Sequence, residues 1–320
     1  MSEFPEAHAL VGASAPGKLM ISGEYAVLEG AVAIVASVDV RARARWVDDP
    51  SAILPPEARE TRNLAQLALG TLHGHLSIDA SDLRRSGRKL GLGSSAAASA
   101  AVAGAVLASH GQDLTDPAVQ RRVLELALAG HKAIAPEGSG ADVAAASLGG
   151  FVRFRLENGK LAEAERVEFP RALHTRVVWT GKEARTSEFV RAVREFEARD
   201  ARAFAFLRDD LRDQAARFAE AIARGDAADV IAAASAYGLG MGQLGRSAGV
   251  DIVTPELAKI AVLAKQHGGG AKPSGAGGGD VAIALFPSSE SAEAFDAACD
   301  EAGLDRLDLR LGAPGVCREQ

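Results

Sequence analysis

The sequence has 320 residues, more than one hydrophobic core usually serves, and its 48% apolar and 24% charged content fits a folded two-domain protein and excludes a disordered chain. A formal net charge of −6 with no long basic face argues against nucleic-acid binding, despite the local cluster Arg84, Arg85, Arg88 and Lys89. Cys299 and Cys317 have neither zinc-site nor redox spacing, the N-terminus lacks the basic-then-apolar order of a secretory signal, and no stretch suits a bilayer, so a cytoplasmic setting without membrane association is expected.

Near the N-terminus, residues 15–30 read APGKLMISGEYAVLEG: a Pro-Gly turn, Lys18 in an otherwise apolar strand, then a turn at Ser22-Gly23-Glu24. That turn predicts a hairpin with a strand over Ala31–Trp46, whose Arg/Ala alternation marks its emergence onto a solvated face. An unpaired ammonium in such a strand is costly, and either a buried partner or an anionic ligand removes the cost. An edge-strand lysine reaching water is the alternative.

Residues 48–60 hold Pro50, Pro55 and Pro56 and read as a loop, followed by a helix over Asn63–His75. GLGSSAA, Gly91–Ala97, then runs straight into a small-residue helix. A helix over Pro117–Lys132 leads to the loop APEGSGAD, the short helix VAAASL and the strand FVRFRL. A domain boundary near residue 165 divides 1–165 from 166–320.

The second half opens with the strand TRVVWTG and continues as amphipathic helices over 187–224 and 226–248, whose charges read as solvated faces. A helix from Thr254-Pro255 to about His267 precedes GGGAKPSGAGGGD, a third glycine loop entering an apolar strand. A helix over Ser288–Gly303 and a last strand, LDRLDLRL, finish the chain.

The chemistry lies in the glycine segments. Backbone amides at a helix start are unpaired and sit at the positive end of the helix dipole, so a glycine loop entering a helix suits a phosphate group. Gly91 and Gly93 permit close approach, and Ser94 and Ser95 offer hydroxyls to the helix end, to phosphate or to magnesium. Read alone, the segment serves equally well as a capped helix start. Its match to a dinucleotide fingerprint fails, because the acidic residue that follows, Asp113, falls in a loop after the helix, and a Walker A sequence is absent.

Taken together, PGKLMISGEYAVLEG, GLGSSAAASA and KPSGAGGGD resemble, in order and spacing, the three motifs of the GHMP kinases. The resemblance implies an α+β fold of two domains flanking a deep cleft, with ATP held by Gly91, Leu92, Gly93, Ser94, Ser95, Ala96 and Ala97 and Mg2+ touched by Ser95. It sets Lys18 and Asp142 against the transferred phosphoryl group, and Gly275–Gly279 over the phosphates. It points to a small phosphorylated substrate bound by Lys89, Ser139, Gly140, Arg185, Lys272, Ser274, Gly275, Ala276 and Gly277, in a monomer or homodimer.

Within the family, GSGADVA, Asp280 at the end of the third motif, the missing proline before GLGSS and the stretch TGKEARTSEFV resemble the phosphomevalonate kinases. One departure is Ala135-Pro136-Glu137, where those enzymes carry Ala-Gln-Gly-Lys; it weakens any role for His131, Lys132 or Glu137. A phosphomonoester acceptor is largely ionised at neutral pH, so a general base matters less than offsetting the repulsion of two polyanions. Each pair of unit charges at about 4 Å repels by roughly 4 kcal/mol at an effective dielectric near 20. Lys18 therefore reads as a charge stabiliser and Asp142 as an orienting group. A mevalonate kinase, and a GHMP-fold sensor without catalysis, are the competing readings.

Overall fold

The structure, a computed structural model, describes residues 10–184 and 186–319. Its first half runs β1 (Ala13–Ser22), β2 (Ala33–Val47), α1 (Pro56–Leu69), β3 (His75–Asp79), the small hairpin β4 (Arg84–Arg85) and β5 (Arg88–Lys89), α2 (Ser94–Ser109), α3 (Pro117–Ile134), α4 (Ala141–Leu148), β6 (Phe151–Glu157) and β7 (Lys160–Val167). Then follow β8 (His174–Trp179), α5 (Thr186–Arg199), α6 (Ala201–Arg224), α7 (Ala227–Ala248), α8 (Pro255–Gln266), β9 (Gly270–Ser274), β10 (Val281–Phe286), α9 (Ser289–Glu301), β11 (Asp305–Leu307) and β12 (Cys317–Arg318).

Two sheets carry the fold. The first has the order β12-β1-β2-β6-β7 with β3 paired to β2, and the second the order β11-β8-β10-β9. Alternation along β10 explains how the layers meet: Val281, Ile283 and Leu285 join a core shared with Leu19, Ile21 and Ile34 of the first sheet, whereas Ala282, Ala284 and Phe286 pack with α8 and α9. The other face of the first sheet is covered by α1–α4, with α2 buried from Ala96 to Ser109. Small side chains suit that central helix, because they let neighbouring elements approach closely on every side.

A break in β1 decides which way Lys18 points. Ala13 and Ala15 face the helical core, but the register shifts between Pro16 and Gly17, after which Met20 faces that core and Leu19 and Ile21 face the second sheet. Such a bulge reverses the alternation. It sets Lys18, in phase with Met20, on the helical side. Gly17 is required there, since a Cβ would stand 2.6 Å from Leu83 Cδ2 and 2.8 Å from the Leu92 carbonyl oxygen. The expected Pro-Gly turn is thus a bulge inside a continuous strand.

Other expectations shift for local reasons. α1 begins at Pro56, since proline fits a helix's first turn, and it ends at Gly70, so His75 starts β3 instead of ending a helix. The helical stretch expected over 187–224 is two helices, because Asp200 leaves helical geometry and its carboxylate caps α6 by accepting from the Ala203 amide. Gly270–Ser274, read as loop, is a fully buried strand paired with β10. The last strand shortens to β11, and the tail returns to the first sheet through β12, with Arg41 donating to the carbonyls of Pro314 and Gly315.

The cysteines are free. Burial in the α9 packing pushes the Cys299 thiol up to about 11, while Cys317 is partly exposed. In native protein an aromatic disulfide reagent is therefore expected to label Cys317 well before Cys299, as read by peptide mass spectrometry. Equal labelling rates would contradict the packing of α9. Among the described residues no helix is long and apolar enough to cross a membrane.

Candidate active site

A cavity of about 380 Å³ opens between the two sheets' lobes. Its walls come from all three glycine segments: Lys18, Glu24 and Tyr25 from the first, Lys89 and Gly91–Ser95 from the second, Ser274, Gly275, Ala276 and Asp280 from the third. Gly138, Ser139 and Asp142 close it from the start of α4, and Glu183, Ala184, Thr186 and Val190 from the start of α5.

Lys18 sits at the convergence. Its amide donates to the Leu92 carbonyl at 2.8 Å and its ammonium to the Gly91 carbonyl at 3.3 Å. Among the described residues no carboxylate lies within ion-pair distance of it, so the charge is free for a ligand. A Cβ at Gly93 would stand 2.9 Å from Lys18 Cγ and 3.6 Å from Asp142 Cβ, and one at Gly275 3.7 Å from Lys18 Nζ. Gly93, at φ +75°, thus separates Lys18 from Asp142, and the third loop abuts the same ammonium.

Beside this cluster α2 begins at Ser94 with no side chain capping it. An uncapped start of a 16-residue helix, opening onto a cavity, leaves its first amides for an anion. α4 starts nearby, its Asp142 accepting from the Val143 amide at 2.9 Å. Asp280 holds a strained φ of +51°, accepts from the Ala184 amide at 3.0 Å and lies against Gly91; burial raises its carboxyl above the ordinary range, with Lys18 and Lys89 opposing the shift.

The structure brings together Lys18, Asp142, Gly91, Leu92, Gly93, Ser94, Ser95, Lys89, Ser139, Ser274, Gly275 and Ala276. Ala96 and Ala97 lie one step back, buried in α2, and the Ala97 amide is already bonded to the Gly93 carbonyl. Gly140 packs against Leu128 and Gly277 against Ile252 behind the wall. Lys272 is corrected outright: it does not line the cavity but is buried and ion-paired with Glu24. Arg185 lies outside the described residues. His131 and Glu137 reach the cavity, whereas Lys132 donates away from it to the Gly159 carbonyl.

Sequence reasoning passed over Glu24 and Tyr25, although a glutamate within an apolar motif was a usable signal, and gave Asp280 no part in the site. Among the described residues the walls carry Glu24, Glu57, Glu137, Asp142, Glu183 and Asp280 against the lysines Lys18 and Lys89. No cluster of three or more ligating side chains is present among them. A magnesium ion carried by a nucleotide suits such a lining, because that ion typically takes one or two protein oxygens and completes its shell with phosphates and water.

Two lobes built on separate sheets, with an uncapped glycine-led helix and Lys18 at the cavity between them, make a two-lobed α+β fold with an anion-suited cleft. The chain belongs to the GHMP kinases: residues 64–150 match the GHMP kinases N terminal domain and residues 218–303 the GHMP kinases C terminal model. It is 28% identical to the phosphomevalonate kinase of Streptomyces sp. (strain CL190), over 87% of this chain and 90% of that one. It is 29% identical to the mevalonate kinase of Aeropyrum pernix, over 91% and 96%. Its fold matches the Streptococcus pneumoniae phosphomevalonate kinase, solved with phosphomevalonate and AMPPNP, at a TM-score of 0.80 and 22% identity over 94% and 99% of the chains.

Proposed function

We propose that this protein transfers the terminal phosphoryl group of ATP to (R)-5-phosphomevalonate, forming 5-diphosphomevalonate. The observation that carries the reading is the meeting of Lys18, Gly93 and Asp142 at the uncapped start of α2. The amides and hydroxyls of Ser94 and Ser95 hold the nucleotide's phosphates, and Ser95 with Asp142 would hold magnesium, which supplies charge neutralisation there. Lys18 stabilises the charge that builds on the transferred group, and Lys89 and Ser139 grip the acceptor. The lobes divide near residue 165, a reading supported by β7 and β8 belonging to different sheets.

The phosphorylated acceptor is supported by the likeness to the Streptomyces enzyme and by the GSGADVA and Asp280 features. Its attacking oxygen is already largely ionised, so Asp142, across Gly93 from Lys18, orients the acceptor without abstracting a proton. Asp142 also favours the second reading, mevalonate kinase, since an alcohol acceptor would need a base near Lys18, and relatives of that name are 25–29% identical. Turnover with each acceptor side by side decides: ADP release is expected at least about 10²-fold faster in kcat/KM with 5-phosphomevalonate than with mevalonate, a difference of at least about 2.7 kcal/mol. The reverse ratio would assign the alcohol.

A further inference from the structure

Glu24 in the cavity wall and Lys272 behind it form a buried ion pair that the proposed chemistry leaves without a role. Lys272 on β9 is 1% exposed and Glu24, between β1 and β2, is 3% exposed. The lysine ammonium donates to Glu24 Oε1 and, at 2.6 Å, to the Pro273 carbonyl. The same carboxylate oxygen accepts from the Gly275 amide at 3.3 Å, and Gly275 is the residue whose Cβ would stand 3.7 Å from Lys18 Nζ. Two tyrosines reinforce the joint: Tyr237 donates to the Glu24 carbonyl at 2.8 Å, and Tyr25 donates to the Ala276 carbonyl.

These contacts tie the first glycine segment to the third, across the two lobes. A compensated pair in a dry site adds little net stability over apolar residues, so such a pair is explained better by the geometry it fixes than by the energy it contributes. Burial pulls the Lys272 ammonium below the usual lysine range, and Glu24 opposes that shift without cancelling it. We infer that the Lys272–Glu24 pair is a positioning device that fixes Gly275 against Lys18, so that Lys272 governs turnover without touching a ligand. The inference rests on Lys18 acting on the transferred phosphoryl group.

The test uses the full chain with Glu24→Gln and Lys272→Met combined, which removes both charges together, and with Lys272→Met alone. The double variant is expected to fold, to bind a non-hydrolysable ATP analogue within threefold of the parent, and to lose about 100-fold in kcat, the scale of a displacement of about 1 Å at a reacting centre. Hydrogen exchange in the peptide spanning 271–281 should quicken about tenfold, with α2 unchanged. Lys272→Met alone should show the same kinetic loss with a larger fall in Tm.

A folded double variant with kcat within threefold of the parent overturns the inference. So does unchanged exchange in 271–281, and so does a double variant that fails to fold, which would make the pair a stabilising element. If the parent turns over neither mevalonate nor its 5-phosphate, the functional reading has failed instead, and the exchange measurement alone decides whether the tether exists.

Discussion

Methionine in place of Lys18 is expected to lower kcat by about 10²- to 10³-fold while leaving affinity for an ATP analogue within about tenfold. Methionine nearly matches the length of the lysine stem and keeps its packing beside Gly93, so the change removes charge with little change of shape. The ammonium's one protein acceptor within bonding distance is the Gly91 carbonyl, at 3.3 Å, and it has no carboxylate partner among the described residues. Losing it should therefore barely move Tm. Arginine should rescue poorly, since its planar fork cannot occupy the narrow space bounded by Gly93 and Gly275. A Lys18→Met protein within tenfold of parental turnover would remove this lysine from the chemistry.

Alanine at Gly93 is expected to reduce kcat/KM for the nucleotide by at least about 10²-fold, through both a higher KM and a lower kcat. Gly93 has φ +75°, where a Cβ costs roughly 1–2 kcal/mol, and the new methyl would press on Lys18 Cγ at 2.9 Å. Backbone strain alone is separated by a control in the nearby hairpin. Gly87 has φ +78° but nothing within 4 Å of its Cβ position, so Gly87→Ala should show a similar loss of stability with activity near the parent's. If both variants lose activity equally, the Gly93 effect is strain alone and the phosphate cradle is placed elsewhere.

What the sequence made legible was local. A glycine loop entering a small-residue helix carries its own geometry, so Gly91–Ser95 could be placed at a helix start from spacing alone. The two-lobed α+β architecture followed from the resemblance of the three motifs to the GHMP kinases, and β2, α3, α4, β6 and α8 lie close to where periodicity and turn residues put them. The direction of Lys18 was not legible, because it depends on a bulge at Pro16 and Gly17 that period-2 reading cannot detect.

Long-range pairing was equally hidden. Lys272 looked like a ligand group because it stands in a glycine-rich motif, but its partner Glu24 lies 248 residues away, and β9, paired with β10 and packed against Tyr237 and Gly238 of α7, buries it. Tail residues such as Cys317 gave no strand signal, since β12 is two residues long and is defined by its partner β1. Glu24 and Asp280 were missed as parts of the site for the same reason: their neighbours come from other segments of the chain.

The most direct measurement is a crystal structure of the protein with a non-hydrolysable ATP analogue and magnesium. The terminal phosphate is expected between the amides at the start of α2 and the Lys18 ammonium, within hydrogen-bonding reach of both. A nucleotide bound with that phosphate out of reach of Lys18, or away from Gly91–Ser95, would contradict the account.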